Sequence, residues 1–399
     1  MSTKKILIIG AGFLQTFVIK KAKELGYYVL TVDGNPQADG FAYADQYLCL
    51  DIKNEKACLE YAESNQVDGV MTAATDFGVL TASYIAQKLG LPGLNYESAE
   101  LVKNKYLVRK CFYENKVDDT GESYEVHEGT DIEKLSAIIS YPVMVKPCDG
   151  SGSRGASRVE SAAELSAACE FAINSSVSNR AEIERFIEGD EYGVESLVVN
   201  GTIHVMAVMK KLMTNPPYYA ELGHAIPSGL PEKTEHYIKR CVEKAIKTLK
   251  INFGAVNMDL LVTEKGKVHI VDVGARMGGN LIGSHIVVLG SGTDYLANLI
   301  RATVNDPVDF SAVVSPKCVA TRLLALTPGK IQKLPNISHI EKEFGVEVQH
   351  HMHVGDYIQE YHTNLDGMGY VVATADSVLE AERKAEAAKQ KIEKEIMRG

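Results

Sequence analysis

The chain has 399 residues, of which 45% are hydrophobic and 24% charged, and a formal net charge of −10. That length supports two or three domains, and the negative balance excludes non-specific nucleic-acid binding, which needs a cationic footprint. No apolar run reaches the length of a membrane span, the N-terminus shows no secretion signal, and seven scattered cysteines without C-x-x-C spacing point to reduced thiols in a cytoplasm.

Residues 5 to about 95 alternate strand and helix. Lys5 to Ile9 reads as a buried strand, Phe13 to Leu25 as a helix stopped by Gly26, and Tyr28 to Val32 as a strand closing on Asp33. A further strand covers Val67 to Met71, followed by a helix from Gly78 to Leu89 that ends at Gly90. Such alternation implies a parallel, doubly wound sheet. The turn Gly10-Ala11-Gly12 begins like a dinucleotide fingerprint, but Gln15 stands where the third glycine belongs. Beyond Pro92 the pattern becomes α+β. A helix is expected over Glu97 to Glu114, a strand near Tyr124, a helix from Asp131 to Ile139 and a strand over Val143 to Lys146. After about residue 310, Lys317 to Leu324 and Tyr370 to Thr374 read as strands, and Leu379 to Met397 as an amphipathic helix.

Three segments carry chemistry. Val256 to Val262 and Val268 to Val273 form a hairpin that brings Asp259 and Asp272 close together, with Arg276 on the Asp272 face. Two carboxylates converging beside a cation are wasteful for stability but suited to holding Mg²⁺ on a polyphosphate. Lys146 ends a strand and opens the loop Pro147 to Ser157, in which glycines let backbone amides approach a phosphate and serines add donors. The lysine precedes the glycines, so this is not a Walker A loop. The third segment, Glu182 to Glu195, is a strand, a tight corner and a second strand, able to present backbone groups to an adenine edge.

In order and content these parts resemble the ATP-grasp superfamily of carboxylate–amine ligases over essentially the whole chain. The resemblance implies an α/β chain in three parts: a Rossmann-like domain over residues 1–95, an ATP-grasp fold (α+β) over 96–310 with a lid subdomain at about 120–190, and a small α+β domain over 311–399. It implies that Lys105 and Lys146 hold the phosphates of ATP under Ser151, Gly152, Ser153 and Gly155. Glu184, Phe186 and Ile187 would line the adenine hinge, and Glu191 the ribose. Asp259 and Asp272 would hold Mg²⁺ (or Mn²⁺), and Arg276 would stabilise an acyl phosphate as an oxyanion clamp does. Many members carry Glu-x-Asn-Pro-Arg where this chain has Asp272-Val273-Gly274-Ala275-Arg276, which removes one metal ligand unless Asn280 or water replaces it.

The Gly-Ala-Arg-x-Gly-Gly pattern, the segment Pro217 to Pro227 and the Thr-Pro-Gly turn at 327–329 resemble the L-amino acid ligase branch. There Glu221, His224, Arg276, Gly278 and Gly279 would line the substrate site. The expected reaction joins a carboxylate to an amine with release of ADP and phosphate, in a cytoplasmic enzyme with no membrane or nucleic-acid partner, and the resemblance implies a homodimer. A bicarbonate-activating enzyme of the biotin-carboxylase or carbamoyl-phosphate type, an ATP-binding module without turnover, and a nicotinamide dehydrogenase using Gly10, Gly12 and Asp33 are the alternatives. The His350-His351-Met352-His353 run reads as a polar strand edge rather than a metal site, and Cys148 as packing rather than a nucleophile.

Overall fold

The computed structural model describes residues 3–150, 155–215 and 219–399. Four parallel strands form the N-terminal sheet in the order Gln46–Cys49, Tyr28–Asp33, Lys5–Ile9, Gly69–Thr72. Ile6, Leu7, Ile8 and Ile9 are all fully buried, because helices cover both faces. Ile6 and Ile8 pack with Val18, Ile19 and Ala22 of the helix Gln15–Glu24. Leu7 and Ile9 point the other way, onto Cys58 and Ala62 of Glu55–Asn65 and Ile85 of Val79–Leu89. Four apolar residues in a row are therefore explained by two cores, one on each side.

The central feature is an eight-stranded antiparallel sheet. Its order is Val268–Gly274, Gly254–Val262, Asp190–Val199, Thr202–Met213, Glu221–Ile226, Cys318–Leu323, Gly369–Ala375, Val346–His350. The last three strands belong to the C-terminal third of the chain, so the small C-terminal domain extends the central sheet while keeping a core of its own around Leu324, Ile340, Val371 and Ile392. The helix Glu232–Thr248 buries Ile238, Val242, Ala245 and Ile246 against one face of this sheet, with the i, i+4, i+7 spacing that a single apolar stripe requires. A second antiparallel sheet, ordered Ser123–His127, Arg180–Arg185, Val143–Pro147, Ser157–Val159, packs on the helix Ala162–Ser175 through Leu165, Cys169 and Ala172.

One expected helix is two. Tyr96–Lys103 and Lys105–Asn115 are separated by Asn104, whose backbone is extended (φ −104°, ψ 103°) and whose side chain accepts from the Leu107 N–H at 3.1 Å. Asparagine is a strong N-cap, and here it starts a new helix with Lys105 at its first position. The helix expected over Asp131 to Ile139 is shorter, Ile132–Ser136, capped by Asp131. Among the described residues no helix is long and apolar enough to cross a membrane.

Candidate active site

Both antiparallel sheets line a cavity of about 860 Å³, to which residues 74–77 of the N-terminal part and 364–365 of the C-terminal part also contribute. On one wall, Lys146 projects from the strand Val143–Pro147 and its Nζ donates to Glu184 Oε1 at 2.5 Å and to the Val271 carbonyl at 3.2 Å. Lys105, held by its backbone N–H to the Cys148 carbonyl at 2.7 Å, donates to Asp272. Buried Arg109 completes this wall, 2.8 Å from Glu184. Beneath them lies Glu182, fully buried, with neither carboxylate oxygen hydrogen-bonded. Burial pushes its carboxyl upward, with Glu184 adding to the effect. Against its own burial, Asp272 is drawn down to about 2 by Lys105.

The opposite wall is acidic. Glu191, Glu221 and Asp259 converge on Lys211 Nζ at 2.7, 2.5 and 2.9 Å, and the Lys211 side chain is 1% exposed. Asp259 faces Asp272 across neighbouring strands. Burial, reinforced by Glu221, Glu191 and Asp272, outweighs Lys211 and lifts the Asp259 carboxyl to about 7. Glu221 goes the other way: against burial, Lys211 holds it near 2. Its carboxylate also accepts from Asn280 and from Asn364 Nδ2, the latter at 3.1 Å.

Arg276 lies just past the strand Val268–Gly274. Its Nε and Nη2 donate to the two oxygens of Asp76 at 2.9 and 3.1 Å. A Cβ at Gly274 would come within 3.1 Å of the Arg276 guanidinium carbon. Glycine at that position leaves room for the arginine to fold back. Asn280 does not replace the missing asparagine as a spare ligand, because its amide nitrogen serves Glu221 and its oxygen accepts from Tyr370 at 2.9 Å.

Several expected site residues sit elsewhere. Gly278 does not line the cavity: its N–H is spent on buried Glu195 at 3.1 Å. Gly279 does line it. The His224 ring is fully buried behind Glu221, 3.9 Å from that carboxylate and away from the cavity, and burial lowers it to about 4, which keeps it neutral. Gly155, at φ +75°, packs on Pro147 and Ser175 while Gly150 and Ala156 face the cavity. Ser151, Gly152 and Ser153 lie outside the described residues. Phe186 and Ile187 are on the cavity wall, with the Arg158 guanidinium 4.1 Å from the Phe186 ring centroid. Glu184 is not confined to a hinge: it neutralises Lys146 and Arg109.

Comparison with known proteins agrees with this geometry. Family descriptions match in three stretches: an ATP-grasp N-terminal domain over residues 19–93, an ATP-grasp domain over 139–284 and an L-amino acid ligase C-terminal domain 2 over 322–397. The chain belongs to the ATP-grasp family. This ATP-grasp chain is 22% identical over 400 residues to dapdiamide A synthase of Enterobacter agglomerans, covering 93% of the chain and 92% of that protein. It is 28% identical over 219 residues to a D-alanine–D-alanine ligase of Acetivibrio thermocellus, covering 53% of the chain and 52% of the ligase. It spans 65% or less of several other curated relatives. Among solved structures, an L-amino acid ligase from Bacillus licheniformis superimposes with a TM-score of 0.84 at 22% identity over the full length of both chains.

ATP-grasp proteins use ATP with Mg²⁺, and the donor set fits that metal. Among the described residues no three His, Cys, Asp or Glu side chains form a closed metal cage. Mg²⁺ on a nucleotide needs only one or two carboxylates beside the phosphates. Asp259 and Asp272 supply two, opposite each other on neighbouring strands. The Gly10 turn fits a dinucleotide poorly. Asp33 accepts from the Ala11 N–H at 2.8 Å, the Gly40 N–H donates to the Ala11 carbonyl at 2.6 Å, and Gln15 is buried with its amide on the Ala73 carbonyl.

The residues that sequence reasoning passed over are Lys211, Asp76, Arg109 and Glu195. Lys211 had only a partial signal: it shares a strand face with buried Met209, but Lys210 shares one with buried Val208 and is exposed, so period two leaves the choice between them open. Asp76 and Glu195 had none, since their partners are 200 and 83 residues away.

Proposed function

We propose that this protein is an ATP-dependent ligase that joins the carboxylate of an amino acid, or of a similar acid, to an amine and releases ADP and phosphate. The observation that supports the reading best is the sorting of charge within one cavity. Lys105, Lys146 and Arg109 line one side, a carboxylate pair sits at the strand crossing, and Arg276 stands at the far end of the acid-bearing strand.

A carboxylate is a poor electrophile because its oxygen is a poor leaving group. Its attack on the γ-phosphorus breaks the β,γ-bridging bond, expels ADP and leaves an acyl phosphate. Amine attack on the acyl carbon then expels phosphate and leaves the amide. Lys105 and Lys146 bind and orient the polyphosphate, exchanging Asp272 and Glu184 for phosphate oxygens. Phe186 and Ile187 wall the adenine, and Glu191 takes the ribose. Asp259 and Asp272 hold Mg²⁺, which when bound neutralises charge on the phosphates. Arg276 supplies a fixed cation where negative charge gathers on the acyl oxygens. Because the acyl phosphate is water-sensitive, enclosure by three parts of the chain matters as much as charge. The small-molecule acid and amine are its partners, and the family expectation of a homodimer is checked by light scattering on the purified chain.

The test is ADP and phosphate release with Mg²⁺–ATP over pairs of amino acids and small carboxylic acids, with bicarbonate plus an amine as a separate reaction. ADP formation that requires both an acid and an amine supports the ligase. Bicarbonate-dependent ADP formation alone moves the protein to the carboxylating class. No ADP across the panel, with ATP bound tightly by calorimetry, overturns turnover altogether.

A further inference from the structure

The segment after the strand Gly69–Thr72 is the N-terminal part's contribution to the cavity, through residues 74–77. It is tied on both sides. Ala73 forms a parallel bridge with Met277, the Ala74 N–H donates to the Met277 carbonyl at 3.0 Å, and the Gln15 amide donates to the Ala73 carbonyl at 2.6 Å. Ala74 is at φ +55°, a left-handed conformation that residues with a Cβ rarely adopt, and such backbone persists where its surroundings over-determine it. The result is that Asp76 is delivered to Arg276 from a segment 200 residues distant in sequence, while its side chain remains 43% exposed.

Asp76 covers the guanidinium edge that a substrate carboxylate or its acyl phosphate requires. With the phosphates on Lys105 and Lys146, Asp272 is left to Mg²⁺ and Glu184 keeps Arg109; Glu191, Glu221 and Asp259 share Lys211, and fully buried Glu182 and Glu195 do not line the cavity. Once Arg276 turns to the acyl group, Asp76 is left on the cavity wall without its partner, beside the group the amine must reach. An anion in that position recruits a replacement cation, and the incoming cation of this reaction is the second substrate. Resting on the ligase reading above, we infer that Asp76 binds the ammonium group of the amine acceptor, so that the acceptor is an amine that is protonated in solution. Phe77, 47% exposed on the same segment, gives the carbon skeleton of that amine an apolar wall. The N-terminal part then serves the acceptor rather than a nucleotide, which accounts for a Gly10 turn that is closed by its own chain.

The test compares the wild type with Asp76→Asn and Asp76→Glu. Each is given Mg²⁺–ATP and every standard amino acid in turn as the acid. The nucleophile is either hydroxylamine, which is uncharged at neutral pH, or the α-amino group of the same amino acids, which arrives as an ammonium ion and releases one proton, to Asp76 or to water, before its lone pair attacks the acyl carbon. Hydroxamate formed by the wild type reports the acyl phosphate independently of any ammonium site; its absence with every acid removes the ligase reading and this inference with it. With hydroxamate present, Asp76→Asn should raise the KM for the amino-acid acceptor roughly 10- to 100-fold, the scale of one charged hydrogen bond, and move that for hydroxylamine less than about threefold. Asp76→Glu should recover part of the loss. Equal losses with both nucleophiles would assign Asp76 to orienting Arg276 alone, and no change with either would remove it from the site; both results overturn the inference.

Discussion

Lys211 carries the acidic wall of the cavity by itself. Three carboxylates lie within 2.9 Å of its ammonium group, and its side chain is almost wholly out of water. Removing one partner from a buried ion cluster leaves charge with neither solvent nor counter-ion, a loss of about 3–5 kcal/mol. Lys211→Met should therefore destabilise the ligand-free protein by about that amount in urea titrations. Added Mg²⁺ should return more stability to the variant than to the wild type, because a cation bound among the same acids takes over the neutralisation. Equal Mg²⁺ responses would place the metal elsewhere. The proposed catalytic roles make sharper kinetic demands. Lys146→Ala should abolish ATP turnover and weaken nucleotide binding measured by calorimetry, since Lys146 faces the phosphate side. Arg276→Ala should leave ATP affinity near that of the wild type and lower kcat about 10²- to 10³-fold, the usual cost of losing one transition-state donor. A ligation rate unchanged in that variant would refute the acyl-phosphate role.

At the scale of elements, most of the pattern was legible because periodicity and end signals agreed. The hairpin turn at residues 264–267 sets the register from Val262 opposite Val268 to Leu260 opposite Ile270, a bulge between Asp259 and Leu260 then brings Asp259 opposite Asp272, and the corner after Arg185 followed from acidic and glycine residues between two strands. The helix break at Asn104 was hidden because both halves keep an amphipathic period and asparagine is only a mild interior breaker. It matters for the site, since the second helix starts at Lys105 and its first turn aims that lysine at Asp272. Asn104→Ala should cost about 1 kcal/mol of stability through the lost cap and raise the KM for ATP, while leaving the KM for the amine near its original value. Equal effects on both substrates would mean that the break shapes the whole cavity and not the lysine alone. His224 and Gly278 show the opposite failure. Their motif spacing looked like a substrate wall, but the His224 ring, opposite Lys211 on the neighbouring strand, is buried behind Glu221, and the Gly278 amide is claimed by Glu195.

Across the whole molecule, the cavity exists because distant segments are locked together, and Glu195 is the main lock. Fully buried in the strand Asp190–Val199, it accepts from Tyr295 of the helix Tyr295–Thr303 at 2.5 Å, from Asn257 of the neighbouring strand at 3.0 Å, and from the Gly278 N–H. That last bond holds the Arg276–Met277 segment on which the N-terminal part docks. None of this could be read from local patterns, because a buried carboxylate in an apolar strand looks like any exposed acid until its partners are known. Burial raises its carboxyl from 4.5 to about 7 despite these donors. The folded chain therefore keeps a proton that the unfolded chain has released. The stability this group contributes is complete below the unfolded value near 4.5 and is lost as pH climbs towards 7. Asp259 imposes a loss of the same sign, so the wild-type profile alone does not isolate Glu195. A comparison with Glu195→Gln does, since the Asp259 contribution is common to both proteins and cancels. Between pH 4.5 and 7 the wild type should lose about 3 kcal/mol relative to the variant, measured by urea unfolding at stepped pH. A difference between the two proteins that stays constant over that range would show that Glu195 does not take up a proton on folding, and its place at the junction would then rest on an ionised carboxylate held by Tyr295, Asn257 and the Gly278 N–H.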